Sequence, residues 1–161
     1  MTQNARHEFI HQAAAIAAAF SLSVVFIIIM QWIYHPVAVS GESMYPTYKD
    51  GQILTCRPLS GDPALSRGDV CVVHYQHEYI IKRLVGLPGD TLSVVDGQIY
   101  INGGRNESLE YDPIDDPGVL GTPLTLHEGE YFFVGDNRNK SFDCRAFGPV
   151  TFRDIKYIIN N

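Results

Sequence analysis

The sequence predicts a mainly β protein, an antiparallel domain of about 125 residues preceded by one transmembrane helix. Three observations predict it. Ala13 to Met30 runs eighteen residues without a charge. From Val37 onward, short runs of branched and aromatic residues alternate with turn signals such as Asp50-Gly51, Arg67-Gly68-Asp69 and Pro88-Gly89-Asp90. Asp96-Gly97 stands between two such runs, the pairing that a type I′ hairpin requires.

Residues 1–12 read as a polar tail, with Arg6, His7, Glu8 and His11. Residues 13–35 read as the anchor. Gln31 to Tyr34 extend the apolar run to the border at His35-Pro36, and a helix of this length, about 33 Å, crosses a bilayer core. Trp32 and Tyr34 stand where interfacial aromatic residues anchor a span. The span has no polar face, which argues against a helix lying on the membrane surface. Ala38-Val39-Ser40 has small residues where a leader peptidase looks for them, but the apolar run is longer than a cleavable signal needs and rich in isoleucine, so an uncleaved anchor is expected. Arg6 before the span and Lys49 as the first cation after it favour a cytoplasmic N-terminus.

Residues 36–161 form the β domain. Val70–Tyr75 and Glu78–Val85 read as strands joined at Gln76-His77; Leu92–Val95 and Gln98–Ile101 flank the hairpin turn; Glu130–Val134 is a further strand. Residues 103–121 are rich in Gly, Pro and acid and read as a long exposed loop. Pro149–Ile159 closes the chain with one or two strands, with Lys156–Ile159 as a helical alternative.

Composition excludes several functions. The formal charge is −6, and Glu107 to Glu130 holds seven acidic residues with no Lys or Arg, so no basic footprint for nucleic acid exists. Cys56, Cys71 and Cys144 show no CxxC or Cys/His spacing, which argues against zinc; Cys56 and Cys71 are either buried thiols or a disulfide. Nothing implies a metal or cofactor.

Three stretches could carry chemistry. In Ser40-Gly41-Glu42-Ser43-Met44-Tyr45-Pro46-Thr47, a hydroxyl sits in a turn restricted by glycine and proline, which is either an ordinary surface turn or a presented nucleophile. Lys82 lies in the strand run Tyr79–Val85, where alternation sends it and Arg83 to opposite faces, so that one of the two cations meets an apolar surface. A desolvated lysine must lose about three pKa units, roughly 4 kcal/mol of bias, to serve as a base near neutrality; the plain alternative is a lysine snorkelling to water. The third stretch, Gly135 to Arg145, is dense in Asp, Asn, Ser and Arg: either a solvated loop or a polar scaffold that orients an amine and braces itself with Asp–Arg pairs.

Ser43-Met44 with Pro46-Thr47, then Arg67-Gly68-Asp69-Val70, then Lys82-Arg83 with Gly86-Leu87-Pro88-Gly89-Asp90, then Gly135-Asp136-Asn137-Arg138 through Ser141, Asp143 and Arg145 to Gly148-Pro149, resemble the ordered motifs of type I signal peptidases. The resemblance spans nearly all of residues 37–152 and implies a signal-peptidase-like antiparallel β domain, with 91–134 as a small inserted β-hairpin subdomain. It implies a membrane-anchored serine endopeptidase that cuts signal peptides from exported preproteins after small residues at −1 and −3, on the outer face of the cytoplasmic membrane. Ser43 matches the nucleophile and Lys82 the general base. Ser141 matches the hydroxyl that helps position the lysine; Asp143 and Arg145, with Asp136 and Arg138, match the structural polar residues. No histidine falls in a family motif, which disfavours a Ser-His-Asp triad.

Two positions depart from common family patterns. Gly41 stands where some members carry a serine that lines the oxyanion hole, leaving mainly the Ser43 backbone N–H as donor. Cys144 stands where many carry serine. The Gly41-Glu42-Ser43 form, single anchor and short chain are similar to Gram-positive versions. Met44, Ile80 and Ile81 are the expected walls of shallow pockets for an extended substrate, or else ordinary core residues. The implied partners are signal peptides, the lipid bilayer and the export machinery. A dedicated conjugation or pilus maturation peptidase and a non-catalytic membrane-tethered β module are the alternatives.

Overall fold

The computed structural model describes residues 3–33, 35–59, 65–105 and 111–160. The chain divides into two units, residues 1–35 and 36–161. The first is helix α1, Gln3–Ile33. It begins within the segment read as a polar tail and continues through the apolar run. Its stretch His11–Met30 is long and apolar enough to cross a membrane, and none of it is buried inside the chain. Ile16, Phe20, Leu22 and Phe26 are exposed, so the apolar surface is not confined to one stripe and lacks a protein partner in this unit. The Trp32 side chain and Tyr34, expected as interfacial anchors, lie outside the described residues.

The second unit is built on two sheets. The larger has seven strands in the order β1 (His35–Ala38), β2 (Ile53–Pro58), β11 (Ile155–Ile159), β3 (Val70–Tyr75), β4 (Glu78–Gly86), β9 (Glu130–Val134) and β10 (Val150–Thr151). The smaller has four, in the order β7 (Gly104–Arg105), β6 (Gln98–Ile101), β5 (Thr91–Val95) and β8 (Leu124–Thr125). Both are antiparallel at every described register. The mainly β class with one apolar N-terminal helix is therefore the class the sequence predicts. Asp96 and Gly97 both have positive φ, 49° and 74°, as a type I′ turn demands, and they set the β5–β6 register Val95↔Gln98.

Strand β3 lies inside the large sheet and is buried on both faces, which explains its unbroken run Val70-Cys71-Val72-Val73. Val70 and Val72 pack with Met44, Cys56 and Ile159. Cys71 and Val73 face the larger core of Leu84, Leu92, Leu126, Phe132 and Phe133. This arrangement resolves the cysteines. β11 runs between β2 and β3, Cys56 pairs with Ile159 and Cys71 with Ile158, and the two side chains join different cores. No disulfide links them; all three cysteines are buried thiols.

Two expectations are corrected. Lys156–Ile159 is not helical but part of β11, because pairing to strands on both sides outweighs local propensity. The acidic segment 103–121 is not simply an exposed loop, although its residues 106–110 lie outside the described ones. It contains the short strand β7, and Ile114 and Leu120 are buried in the main core, Leu120 in a 3-10 turn, Gly118–Gly121. The sparse apolar residues of an acidic segment are what fasten it down.

Arg67 ties the end of β4 to the turn that leads into β5. Its guanidinium donates to the Val85 carbonyl at 2.7 Å and to Asp90 at 2.9 and 3.3 Å. Burial pushes the Asp90 carboxyl up, but Arg67, the Leu87 N–H and the Asn102 amide outweigh it and hold the carboxyl below its ordinary range.

Gly118 locks the acidic segment to the helix α2 (Cys144–Phe147): its φ is +54°, and a Cβ there would collide with the Arg145 carbonyl. Gly129 has φ +78° but open space around it. Gly129→Ala is expected to cost about 1 kcal/mol from backbone conformation alone, and Gly118→Ala clearly more, by about 2 kcal/mol or more from the added clash. Chemical unfolding of the two variants in detergent measures the difference.

Candidate active site

Strand β4 delivers Lys82, with its side chain turned from the partly exposed Ile81 and Arg83 into a buried position, 4% exposed. The turn after β1 delivers Ser43. Lys82 Nζ lies 2.7 Å from Ser43 Oγ and donates to the Ile81 carbonyl at 2.9 Å. Burial lowers the Lys82 pKa to about 8, against the opposing pull of the carboxylates Asp143 and Asp136. About a fifth of the amine is therefore neutral near pH 7.4, and the Ile81 carbonyl engages one N–H while the nitrogen faces the hydroxyl. That is the arrangement in which an amine accepts a proton from an alcohol.

The nucleophile turn is fixed from several directions. Asn137 N–H donates to the Ser43 carbonyl at 3.0 Å. Asp136, 2% exposed, accepts from the Thr47 hydroxyl at 2.6 Å and from both Arg83 Nε and Nη2, at 2.8 and 2.6 Å. The neighbouring cations of β4 thus do separate work: among the described residues Lys82 has no direct carboxylate contact, whereas Arg83 binds Asp136 and the Gly68 carbonyl. Tyr45-Pro46 is a cis peptide within the same turn.

Asp143, fully buried, caps α2 through the Arg145 N–H and pairs with the Arg145 guanidinium at 2.9 Å through both oxygens. It also accepts from Gly135 N at 2.9 Å, so one carboxylate fastens the end of β9 to the start of α2. The other Arg145 nitrogen bond goes to the Arg138 carbonyl. The Arg138 guanidinium lies 4.5 Å from the centre of the Tyr111 ring, and its pKa falls to about 10 on burial. Ser141 packs beside Gly135: a Cβ on Gly135 would strike both Ser141 Oγ and the Ser43 carbonyl. Among the described residues the buried Ser141 hydroxyl has no hydrogen-bond partner and does not bond the Lys82 amine. Cys144 is fully buried, and burial pushes its thiol far up.

A groove of about 430 Å³ opens at the hydroxyl of Ser43, between residues 37–40 and residues 78–82. Met44, Ile80 and Ile81 all line it; Met44, only 1% exposed, belongs to the core as well. Gly41 has φ +84°, and its N–H is engaged by Asp50 Oδ1 at 2.8 Å, so this amide is not free to face a developing oxyanion.

Some contributors carry no individual role in the sequence reading. Thr47 and Asn137 fall inside the motifs and Asp50 in a turn signal, but they and Tyr111 act through contacts with distant residues. Arg83 had a local signal too, its position one residue from Lys82 on a strand.

A family model described as signal peptidase, peptidase S26, matches residues 12–158. Signal peptidase I V of Bacillus subtilis (strain 168) is 33% identical over 141 residues, 76% of this chain and 82% of that protein. Signal peptidase I of Bacillus licheniformis is 36% identical over 138 residues, covering 76% and 72%. Signal peptidase IB of Staphylococcus aureus (strain N315) is 30% identical over 163 residues, covering 90% and 84%. These relatives fit the Gram-positive form that the motifs resemble.

Burial of Lys82 carries a stability cost with a defined pH window. Below pH 8 the amine is protonated in both states and the cost is fully present. Between pH 8 and its ordinary value of 10.5 the folded chain binds fewer protons than the unfolded one, so stability rises with pH. Relative to Lys82→Met, the wild type is expected to gain about 3 kcal/mol between pH 7 and pH 10.5. Paired unfolding curves at the two pH values test this.

Proposed function

This chain belongs to the signal peptidase family, peptidase S26, and from that membership we propose the parts its residues play. It is a type I signal peptidase that removes signal peptides from preproteins, and its apolar N-terminal helix anchors it in a membrane. Ser43 is the nucleophile and Lys82 the general base. The observation that carries this assignment is the 2.7 Å approach of the buried Lys82 amine to the Ser43 hydroxyl.

The preprotein lies extended in the groove beside residues 37–40 and 78–82, with small side chains at −1 and −3 against Met44, Ile80 and Ile81. Neutral Lys82 takes the Ser43 proton as Oγ attacks the scissile carbonyl. The resulting ammonium returns that proton to the departing amine, the C–N bond breaks, and an ester to Ser43 remains. A water then gives its proton to Lys82 and attacks the ester, and the ammonium reprotonates Ser43 as the signal peptide leaves. The Ser43 N–H is the backbone donor for the oxyanion. Asp136 with Arg83 and Thr47, and Asp143 with Arg145, keep the loops bearing Ser43 and Ser141 in register with the strand that bears Lys82. Ser141 positions the lysine, a role supported by its buried hydroxyl beside Gly135, the glycine that the Ser43 carbonyl also approaches.

The domain works on the extracytoplasmic side, as a cytoplasmic N-terminus before a single span requires, and meets its substrates as the export machinery releases them. Residues 1–12, 13–35 and 36–161 are then tail, anchor and catalytic domain, and the insertion expected at 91–134 holds the small sheet but ends in β9, which pairs with β4 in the large one.

Full-length protein in detergent should cut a preprotein carrying an Ala-X-Ala site, with kcat/KM climbing about tenfold per pH unit up to a midpoint near 8 and levelling above it. Ser43→Ala and Lys82→Ala should each lower cleavage by about 10³-fold or more; undiminished cleavage in either variant would remove that residue from the chemistry. Protease added outside spheroplasts should reach the 103–121 segment, and protection of the segment would put the domain on the cytoplasmic side.

A further inference from the structure

Ser43 stands between two cavities. Ser43 lines the groove of about 430 Å³, and its carbonyl accepts from Asn137, which lines a second cavity of about 560 Å³ with Tyr45, Pro46, Tyr111, Asp112, Asp136 and Lys140. No step of the reaction above uses this second cavity. A substrate whose upstream residues fill the groove passes Ser43, and Tyr45 and Pro46 of the same turn line the second cavity.

The walls define what fits. Tyr45 and Tyr111 contribute phenol rings and Pro46 an apolar ring. Tyr111 is held in place: Arg138 stacks on it, and the segment after it is pinned by Asn139, which donates to the Pro113 carbonyl at 2.9 Å and accepts from Asp115 N at 3.0 Å. Two of the charged groups here are engaged elsewhere, and Asp112 adds a carboxylate to the lining. Asp136 is taken by Arg83 and Thr47, and the Lys140 ammonium meets Glu42 at 2.9 Å. Two phenol rings and a proline ring set among polar residues suit a planar side chain that stacks on them, and the cavity is larger than the groove at Ser43.

We infer that this cavity is a subsite for the mature part of the preprotein, taking an aromatic side chain from the first three residues after the cut. The inference rests on the signal-peptidase reading and adds a second element of specificity to it: small side chains before the scissile bond, an aromatic one after it.

The test uses full-length protein in detergent and preproteins identical through an Ala-X-Ala site, differing only by Phe or Ala at the first, second or third mature position. At one of these positions Phe is expected to raise kcat/KM about tenfold over Ala. Tyr45→Ala and Tyr111→Ala should each bring that ratio close to one, and Tyr111→Phe should keep it. Because the readout is a ratio within one variant, a general loss of activity cancels. Should Tyr111→Ala fail to fold, Tyr45→Ala, at a half-exposed position, carries the test. A ratio near one at all three positions in the wild type, or a Phe advantage that survives both alanine variants, overturns the inference. If no substrate of the set is cut, including those with Ala, the signal-peptidase reading itself fails and the subsite falls with it.

Discussion

Desolvation of a single amine is the constraint around which this domain is arranged. In water Lys82 would be protonated at any physiological pH and could accept nothing from a serine. Placing it at 4% exposure brings its pKa to about 8. That placement is costly, because it needs a strand buried at the right residue, neighbours that exclude water, and no carboxylate within hydrogen-bonding reach. Strand β4 meets these demands by pairing with β3 and β9 on either side, so its backbone groups are satisfied while Lys82 is enclosed.

The acidic groups of the site follow from the same demand. Asp136 and Asp143 are both buried close enough to raise the Lys82 pKa, yet each is committed to an arginine, Arg83 or Arg145. Pairing each carboxylate weakens its field at the amine while its hydrogen bonds hold loops together. Asp136 connects the nucleophile turn, through Thr47, to β4; Asp143 connects β9 to α2. Residues that are far apart in the chain are thereby positioned relative to one another by charge-assisted hydrogen bonds between buried groups.

The acidic segment joins this scaffold from outside. Ile114 and Leu120 anchor it in the core, Gly118 fits it over the Arg145 carbonyl, and Tyr111 rests against Arg138. A stretch that composition marks as solvated thus forms one wall beside the nucleophile. The groove on the other side of Ser43 is walled instead by residues 37–40 and by β4. The two cavities differ in volume and in the residues that line them.

Much of this protein is legible in one dimension. The uncharged run from Ala13, the period-two alternation that separates Lys82 from Arg83, the turn pairs at Asp96-Gly97, and the order of the Ser43, Lys82 and Gly135–Arg145 motifs are local properties, set by backbone sterics and by the identity of adjacent side chains. They define the fold class, the anchor and the residues able to do the chemistry. What they could not define is whatever depends on partners distant in the chain. Ile155–Ile159 became a central strand because β2 and β3 flank it; Cys56 and Cys71 stayed thiols because β11 lies between them; Asp136 bound Arg83 and Thr47, residues dozens of positions away. The lowered pKa of Lys82 belongs to the same class, since water is excluded by the whole assembly and not by the residues next to it. Sequence alone determined which groups are available; only the tertiary structure decided which of them are dry, which are paired, and therefore which are reactive.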